Sequence, residues 1–392
     1  MSAPGQGASG APPSIGRVDA LDGIRAIAIL GVLGWHASEH SVRGGHLGVA
    51  VFFTLSGFLI TTLLLDERAA TGRVDLRRFY RRRTARLVPA LVVAVAAGGL
   101  LAMTHPRAST PHQALVGIVS TLTYTSNFVA ALARQQITDV LSWSWSLSLE
   151  EQFYLLWPAL FLLGLRSPRH HRTLVRATVV CYVALTAWRV VIAGGLDAAF
   201  SSRVYFGPDT RVDAVVVGCL LALLLHRPGG TSVAAGRRTA VLAAPAFVLL
   251  LALLALGSPV HGVFLADLQL TPLLTAAVIA GVVGAGDGLV RSVLSWRPLV
   301  WIGRRSYSAY LWNTFFFYGT PAIVVRHWLS WGVWSWIAVT LGAAHVSYRF
   351  IEQPFLRRFR SSVAQVAPTP QEAPDARTVP VTPRAVPTAA VP

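Results

Sequence analysis

Residues 47–65 read LGVAVFFTLSGFLITTLLL, a run of apolar and small residues without a single charged side chain. A helix needs about 20 apolar residues to cross the ~30 Å hydrocarbon core of a bilayer. Similar apolar runs occur near residues 23–38, 87–103, 147–165, 174–194, 212–226, 239–256, 270–286, 306–324 and 329–348. The sequence therefore predicts an all-α, polytopic membrane protein with about ten transmembrane helices.

The overall composition agrees with a membrane protein. Hydrophobic residues make up 54% of the 392 residues and charged residues only 13%, whereas soluble globular domains are about 25% charged. The formal net charge of +17 would favour nucleic-acid binding in a soluble protein, but here the basic residues lie between the apolar runs. We expect a multi-pass protein of the cell membrane whose partner is the lipid bilayer and not a nucleic acid.

The arginines between the apolar runs predict the orientation of the chain. Cytoplasmic loops of membrane proteins are enriched in basic residues, and the segment 66–86 carries eight arginines. Four further basic segments fall on the same side only if a weaker apolar run at 112–132 does not cross the membrane completely. The sequence then predicts that both the N and the C terminus are cytoplasmic.

The two ends of the sequence differ from the apolar part. Residues 1–16 lack the basic segment and apolar core of a cleavable signal, and the last 30 or so residues are rich in Pro, Ala, Thr and Val without a period. We expect disordered tails at 1–16 and 361–392 around a transmembrane domain at 17–360.

The segment LDGIRAIAILGVLGWH (21–36) contains the first apolar run and three ionisable side chains, Asp22, Arg25 and His36. Arg25 and His36 are eleven positions apart, about three helical turns, so both project from nearly the same helix face. Ionisable groups inside membrane spans are costly and usually face a cavity or a partner. The alternatives are that Arg25 pairs with Asp22, three positions before it, and that His36 is a structural imidazole.

His36 also begins a short run of potential metal ligands that includes Glu39 and His40. Histidines four positions apart share a helix face and can bind zinc together. Because no further ligand follows at a known motif spacing, this alternative is weak. We expect neither a metal nor a tightly bound cofactor.

The segment SWSWSLSLEEQFYLLWP (142–158) places Glu150 and Glu151 at the start of another apolar run. A carboxylate that bonds one imidazole nitrogen fixes the tautomer and leaves the other nitrogen to accept a proton. Glu150 and His36 are therefore a candidate catalytic pair. The alternative is that either glutamate only occupies a helix N-terminus, where negative charge is favourable.

Arg83 and Arg86, in FYRRRTARLVP (79–89), stand three positions apart at the predicted cytoplasmic end of the third span. Side chains at this spacing share a helix face, and two guanidinium groups can hold phosphates bidentately. The other explanation is a basic anchor on the cytoplasmic side, which accounts for most of the eight arginines. The pair is thus a candidate phosphate site.

Seven short segments, in the same order, resemble the acyltransferase 3 family of integral-membrane acyltransferases. They span residues from about 17 to 355 and read LDGIRAIAILGVLGWH, GHLGVAVFFTLSGFLIT, FYRRRTARLVPA, WSLSLEEQFYLLWP, RVDAVVVGCL, IGRRSYSAYLWN and SYRFIEQPF. The resemblance implies a membrane domain of about ten helices. It also implies transfer of an acyl group, commonly acetyl, from acyl-CoA to a hydroxyl of a carbohydrate or a related acceptor.

The resemblance assigns roles to individual residues. The implied catalytic residues are His36 and Glu150, and the implied substrate-binding residues are Arg25, Ser56, Arg83, Arg86, Arg211 and Asp213. Asn313 departs from the family, which often has histidine there, and this weakens the case for a catalytic role at that position. Nothing resembling the hydrolase-like domain of some members follows residue 355, so we expect the membrane core to work alone or with a separate partner.

These assignments predict a mechanism. Acyl-CoA reaches the protein from the cytoplasm, and Arg83 and Arg86 hold its phosphates. His36 then acts as general base on the acceptor hydroxyl, Glu150 orients the imidazole, and Ser56 is a candidate donor to the oxyanion. An acyl-enzyme on His36 or Ser56 is the covalent variant, while the alternative for Ser56 is simple helix packing.

The acceptor stays open between two classes, which are cell-envelope glycans or glycolipids and the hydroxyl groups of a secondary metabolite such as a macrolide. A transporter or flippase of a glycan or lipid-linked intermediate would also explain ten spans with buried charges. Donor binding separates the two functions, because a flippase needs no acyl-CoA.

Overall fold

The computed structural model of the chain describes residues 18–37, 42–104, 109–133, 137–164, 170–194, 201–226, 237–257, 264–284, 288–318 and 333–358. Its helices are α1 Asp19–Ala37, α2 Gly48–Thr71, α3 Leu76–Thr104, α4 Pro111–Leu122, α5 Ser126–Ala133, α6 Ser144–Gly164, α7 His170–Ala193, α8 Ser202–Phe206, α9 Pro208–Arg211, α10 Asp213–Leu225, α11 Arg237–Leu256, α12 Phe264–Gly284, α13 Leu289–Leu294, α14 Arg297–Gly303, α15 Ser306–Trp312, α16 Phe315–Tyr318 and α17 Val333–Ser347. A π-helical turn, Tyr348–Glu352, follows α17. Within these ranges no strand occurs, which confirms the all-α class there.

Five helices are long and apolar enough to cross a membrane. They are Asp19–Ala37, Gly45–Thr71, Leu76–Thr104, His171–Ala193 and Leu265–Gly284, where the second includes a short 3₁₀ turn before α2. The count of ten spans and the cytoplasmic position of the termini stay predictions. The tails predicted at 1–16 and 361–392 lie outside the described residues.

The weak apolar run at 112–132 forms two short helices instead of one. Helix α4 has 12 residues and α5 has 8, so they rise only about 18 Å and 12 Å. Tyr124 lies between them with a φ of 54°, a left-handed conformation that cannot continue a right-handed helix. Neither helix is long enough to cross a bilayer alone.

The arginine-rich segment 66–86, which joins the second and third apolar runs, is mostly helical. Helix α2 continues to Thr71 and α3 begins at Leu76, so only four residues connect them. Gly72 ends α2 with a φ of 72°, and the side chain of Asp75 accepts a hydrogen bond from the backbone N–H of Arg78 at 2.9 Å. The connection is this short because a glycine cap and an aspartate cap close it within one tight turn, and its cytoplasmic position stays a prediction.

Helix α2 lies at the centre of the packing. A Cβ atom built at Gly57 would lie 1.9 Å from the carbonyl oxygen of Val215 on α10, and one at Gly218 would lie 2.0 Å from that of Thr54. Glycines on both helices therefore let the two backbones touch, as is common between membrane helices. On its other side Gly48 packs against the carbonyl of Ala28 in α1, which holds α1 and α2 side by side.

Candidate functional site

A cavity of about 610 Å³ opens between α1, α2, α3, α6 and α15. We call it the basic cavity, because five arginines and three carboxylates line it. They are Arg25, Arg78, Arg82, Arg83 and Arg86, with Asp66, Glu67 and Glu150. A neighbouring cavity of about 520 Å³ shares the side chains of Arg25, Asp66 and Arg86. The structure thus brings together Arg25, Arg83, Arg86, Glu150 and Ser56, all of which the sequence selected.

Arg83 is fully engaged with protein groups. Its Nε lies 3.0 and 3.1 Å from the two carboxylate oxygens of Glu151, and its Nη2 lies 2.6 Å from Oε1 of the same residue. The guanidinium also lies over the ring of Tyr154, with its central carbon 3.1 Å from the ring centre. A bidentate ion pair that also stacks on an aromatic ring holds the side chain in one position.

Arg86, one helical turn further along α3, is in the opposite situation. Its guanidinium is exposed and lines both cavities. It forms no hydrogen bond and no ion pair with any residue in the described part of the chain. The charge of Arg86 is therefore available to an anion in the cavity, whereas that of Arg83 is already paired.

Arg25 lies on the wall between the two cavities. One of its Nη atoms is 3.7 Å from Oδ1 of Asp22, which confirms the i, i+3 pair that the sequence offered as an alternative. Asp22 is shared, because Arg304 approaches its other oxygen at 3.4 Å. Asp22, the carboxylate nearest in sequence to Arg25, is thus 3.7 Å away and shared with Arg304, and Arg25 still lines the cavity.

Glu150 is held inside the basic cavity by two hydroxyl groups. Ser56 Oγ on α2 and Tyr154 Oη on α6 both donate to its Oε1, the second at 2.6 Å. Ser56 and Tyr154 are both buried. A carboxylate that receives two hydrogen bonds keeps a fixed position in the cavity. Ser56 therefore does more than let helices approach each other.

His36 lies near the C-terminal end of α1 and does not line the basic cavity. Its Nδ1 lies 2.9 Å from the carbonyl oxygen of Val32, one turn earlier on the same helix. Since a carbonyl oxygen only accepts, Nδ1 carries the proton and Nε2 is the basic nitrogen of the neutral ring. The Val32 carbonyl therefore fixes the tautomer of His36, a role that the sequence had assigned to Glu150.

The predicted hydrogen bond between Glu150 and His36 does not form among the described residues, and that part of the prediction was wrong. Glu150 lies on the second turn of α6 and faces α2, whereas His36 lies eleven residues beyond Arg25 on α1. Those eleven residues place His36 about 16 Å along α1 from Arg25, which lines the same cavity as Glu150. Sequence spacing cannot show whether residues of different helices lie side by side.

Arg211 and Asp213 lie away from the basic cavity, in the packing between α7, α9 and α10. Both are 2% exposed. Asp213 pairs with Arg189 of α7, whose Nη1 is 2.9 Å from Oδ2. Arg211 instead lies near two rings, 5.0 Å from the ring centre of Tyr205 and 5.9 Å from that of Trp145. The two members of the Arg-x-Asp element therefore have different direct contacts, although their charges act on each other.

Several partners in these sites were missed by the sequence analysis. Glu151 was given no role beyond a helix N-terminus, although it binds Arg83 and Glu150 does not. Arg189 was overlooked, and its signal was a charge deep in the apolar segment 174–194, whose other charge, Arg176, lies near the start. Asn313 is fully buried and donates from Nδ2 to the carbonyl of Tyr310 at 2.9 Å, a structural contact.

The potential zinc ligands do not form a site in the described part of the chain. Glu39 and His40 lie outside the described residues. Within those residues, no group of three or more His, Cys, Asp or Glu side chains is placed to hold a metal ion.

Known proteins resemble this chain over most of its length. A family model described as an acyltransferase domain matches residues 18–348. The putative peptidoglycan O-acetyltransferase YrhL of Bacillus subtilis is 31% identical over 359 residues, which are 88% of this chain and 56% of that protein. The peptidoglycan O-acetyltransferase OatA of Listeria monocytogenes is 30% identical, with 86% of this chain and 55% of that protein covered.

The O-acetyltransferase OatA of Staphylococcus aureus is 32% identical over 358 residues, which are 86% of this chain and 57% of that protein. This chain thus spans just over half the length of the curated relatives that it matches. No solved structure matches it.

Proposed function

The chain belongs to the acyltransferase 3 family, and on that premise we propose that it is an O-acyltransferase of the cell membrane. It transfers an acyl group, expected to be acetyl, from acyl-CoA to a hydroxyl group of a glycan. The names of the relatives favour a peptidoglycan-type acceptor over the glycolipid and macrolide-like acceptors that the sequence also allowed. The full proposal includes ten spans with both termini in the cytoplasm and a transmembrane domain at 17–360.

The observation that carries the proposal is the state of Arg86 in the basic cavity. Arg86 forms no hydrogen bond or ion pair among the described residues, although its charge acts on the Glu352 carboxylate of the neighbouring cavity, and Arg25 nearby has a shared carboxylate at 3.7 Å. Two such guanidinium groups at the mouth of a 610 Å³ cavity suit the phosphates of a CoA thioester. Arg83 supports them indirectly, because its pair with Glu151 and its contact with Tyr154 hold the wall of the cavity.

Helix α1 joins this cavity to His36. Arg25 and His36 lie on nearly the same helix face, about 16 Å apart along the axis. An extended pantetheine arm, on the order of 15–20 Å long, covers that helical rise. Phosphates held near Arg25 and Arg86 would therefore leave the thioester close to the level of His36.

His36 is proposed as the general base. The acceptor O–H gives its proton to Nε2 while its oxygen forms a bond to the thioester carbon. The carbon–sulfur bond then breaks, and the imidazolium returns the proton to the departing thiolate. The Val32 carbonyl keeps the proton on Nδ1, so that Nε2 accepts in each cycle.

Glu150 is proposed as a positioning residue of the donor cavity rather than as the partner of His36. Its carboxylate is held by Ser56 and Tyr154 in the cavity that also contains Arg25. It limits the excess of positive charge there when no donor is bound. It also keeps Ser56 and Tyr154 in place along the path of the pantetheine arm.

The test is donor binding and turnover by the full chain in lipid nanodiscs. We expect acetyl-CoA to bind and its acetyl group to appear as an ester on a hydroxylated glycan. A protein that neither binds nor hydrolyses acetyl-CoA but moves a glycan across the bilayer would contradict the proposal and establish the transporter alternative.

A further inference from the structure

Five rings form a connected group beside the end of α1, which we call the aromatic cluster: Trp35, His36, His46, Trp145 and Tyr205. Successive ring centres are 4.9 Å (Trp35 to His36), 5.9 Å (Trp35 to His46), 6.1 Å (His46 to Tyr205) and 5.1 Å (Tyr205 to Trp145) apart. The cluster therefore includes the proposed catalytic imidazole.

The aromatic cluster is open on one side and closed on the other. Trp35, His36 and His46 are half-buried, whereas Tyr205 and Trp145 are buried. The cluster also continues toward the basic cavity, because Phe53 lines that cavity and lies 6.1 Å from Trp145, ring centre to ring centre. The arrangement is a partly exposed mouth with a buried aromatic floor.

Arg211 lies at this buried floor. Its guanidinium is near the rings of Tyr205 and Trp145, and the side chain is 2% exposed. Its Nε and Nη2 atoms are buried and have no hydrogen-bond partner. Buried donors without partners are rare in folded proteins, and each calls for a physical explanation.

The nearby charges provide only part of one, because the charge of Asp213 acts on Arg211 without a hydrogen bond or an ion pair between them. Asp213 is the nearby carboxylate, and it forms its ion pair with Arg189 at 2.9 Å. Arg189 is further held by the carbonyl of Thr210 and by the side chain of Gln269. Two buried guanidinium groups therefore share one carboxylate, and the one without an ion pair is Arg211. A buried guanidinium group that has only a shared carboxylate and unpaired donors is unfavourable in a membrane-spanning domain and usually marks a functional site.

We propose that Arg211 and the aromatic cluster bind the acceptor, and that the acceptor is a sugar that carries a carboxylate. The adjacent Nε and Nη2 donors match the two oxygens of a carboxylate. The rings of Trp145 and Tyr205 offer flat apolar surfaces for the C–H face of a sugar, and a hydroxyl of that sugar then lies beside His36. Calling this ligand the acceptor rests on the proposed function, whereas the binding site itself does not.

The first test is stability without ligand, measured by thermal unfolding of the full chain in nanodiscs. Arg211→Gln removes a buried charge that has no ion pair, so the melting temperature should stay equal to wild type or rise. Arg189→Gln is the matched control, because it leaves Asp213 buried without its counter-ion and should lower the melting temperature by several degrees. If Arg211→Gln is as destabilising as Arg189→Gln, Arg211 is a structural ion and the proposal is wrong.

The second test is binding, measured as the ligand-induced rise in melting temperature with glucuronate and with glucose, which share a ring and differ at C6. Wild type should respond to glucuronate more than to glucose. Arg211→Gln should weaken glucuronate binding roughly 10- to 100-fold, as expected for the loss of a charge-assisted hydrogen bond, and Arg211→Lys should keep part of it. Equal responses to the two sugars, or an equal response to acetate alone, would overturn the carboxylated-sugar ligand.

Neither test uses an acyl donor. If the protein fails to bind acetyl-CoA but still prefers glucuronate through Arg211, the proposed enzyme function fails and the binding site remains. If acetyl transfer occurs but Arg211→Gln leaves the preference between acidic and neutral sugars unchanged, the enzyme function stands and this inference fails.

Discussion

The basic cavity and the aromatic cluster both contain arginines, but they handle positive charge in opposite ways. In the basic cavity Arg86 is exposed at an opening, and Arg83 has a bidentate carboxylate partner. At the aromatic cluster Arg211 is fully buried, and the nearest carboxylate is taken by Arg189. Water can solvate the first kind of charge when no ligand is present, whereas the second is only 2% exposed and two of its donors have no hydrogen-bond partner.

This difference separates the two halves of the proposed reaction. A solvated arginine at an opening suits a charged donor that binds and leaves in every cycle. A buried arginine among aromatic rings suits the selection of one acceptor, because only a ligand with a matching anion supplies the hydrogen-bond acceptors that the arginine lacks. Helix α1 carries Arg25 to the first region and His36 to the second.

The largest expected effect is a loss of acetyl transfer on substitution of His36 in the aromatic cluster. His36→Ala should lower acetyl transfer about 10²- to 10⁴-fold, since it removes the general base. Donor affinity should not change, because His36 does not line the basic cavity. His112→Ala, an exposed histidine on α4, is the matched control. Normal turnover of the His36 variant would remove this residue from the mechanism.

The next largest effect is expected on the KM for the donor, when Arg86 of the basic cavity is substituted. Arg86→Ala should raise the donor KM roughly 10- to 100-fold, the range for losing a hydrogen bond to a charged group. Steady-state kinetics with varied acetyl-CoA measures it. Arg77→Ala, on the same helix, exposed and outside both cavities, should leave the KM unchanged. A wild-type KM in the Arg86 variant would show that the arginines of α3 serve only as a basic anchor on the cytoplasmic side.

Arg83 and Arg86 also show how far the sequence alone could go. The spacing of three placed both on one helix face, and the structure confirms that both line one cavity. Their roles differ because Glu151 and Tyr154, 68 and 71 positions further along the chain, reach only Arg83. Which glutamate of an adjacent pair faces inward depends on the rotation of α6, and no local pattern encodes that rotation.

A smaller effect is expected from Ser56. Ser56→Ala removes one of the two hydroxyl donors to Glu150 and leaves Tyr154 in place. Because one hydrogen bond remains, turnover should fall only about 3- to 10-fold, less than the full value of a bond to a charged group. Ser56→Thr keeps the hydroxyl and should restore most of the activity. Loss of activity as complete as that of His36→Ala would instead support a covalent acyl-Ser56.

The smallest effect is expected on the stability of the fold, from the ion pair between Arg203 and Asp209, which lies outside both regions. Burial alone would raise the pKa of Asp209, but hydrogen bonds from Arg203 and Trp188, together with the charge of Arg203, hold that pKa below its ordinary value. The ion pair therefore stabilises the folded protein above the ordinary aspartate pKa of about 3.9. This stabilisation is lost as the pH falls through the lower pKa of Asp209 in the folded state. It is small, because the pair is partly exposed.

Thermal unfolding of wild type and Asp209→Asn between pH 7 and pH 3 measures this contribution. Wild type should melt slightly higher at pH 7, and the difference should vanish at the acid end. A difference that persists unchanged at pH 3 would show that Asp209 acts through packing and not through its charge.

The apolar pattern predicted most of the long helices, since each run follows from local composition, but the described part of the run at 306–324 forms two short helices, Ser306–Trp312 and Phe315–Tyr318. Helix α2 begins one residue after the run at 47–65 does, and the run at 112–132 breaks where Tyr124 takes a left-handed conformation. The long-range pairs were predicted poorly. The sequence assigned Glu150 to His36, whereas a backbone carbonyl only four residues away, that of Val32, orients the ring. A backbone acceptor leaves no trace in a residue pattern.

Titration of CoA into purified His36→Ala and Arg86→Ala proteins tests most directly whether donor binding and acyl transfer occupy two separate regions. The account predicts that the His36 variant binds CoA with wild-type affinity, while the Arg86 variant binds it roughly 10- to 100-fold more weakly. Equal loss of affinity in both variants, or wild-type affinity in the Arg86 variant, would contradict it.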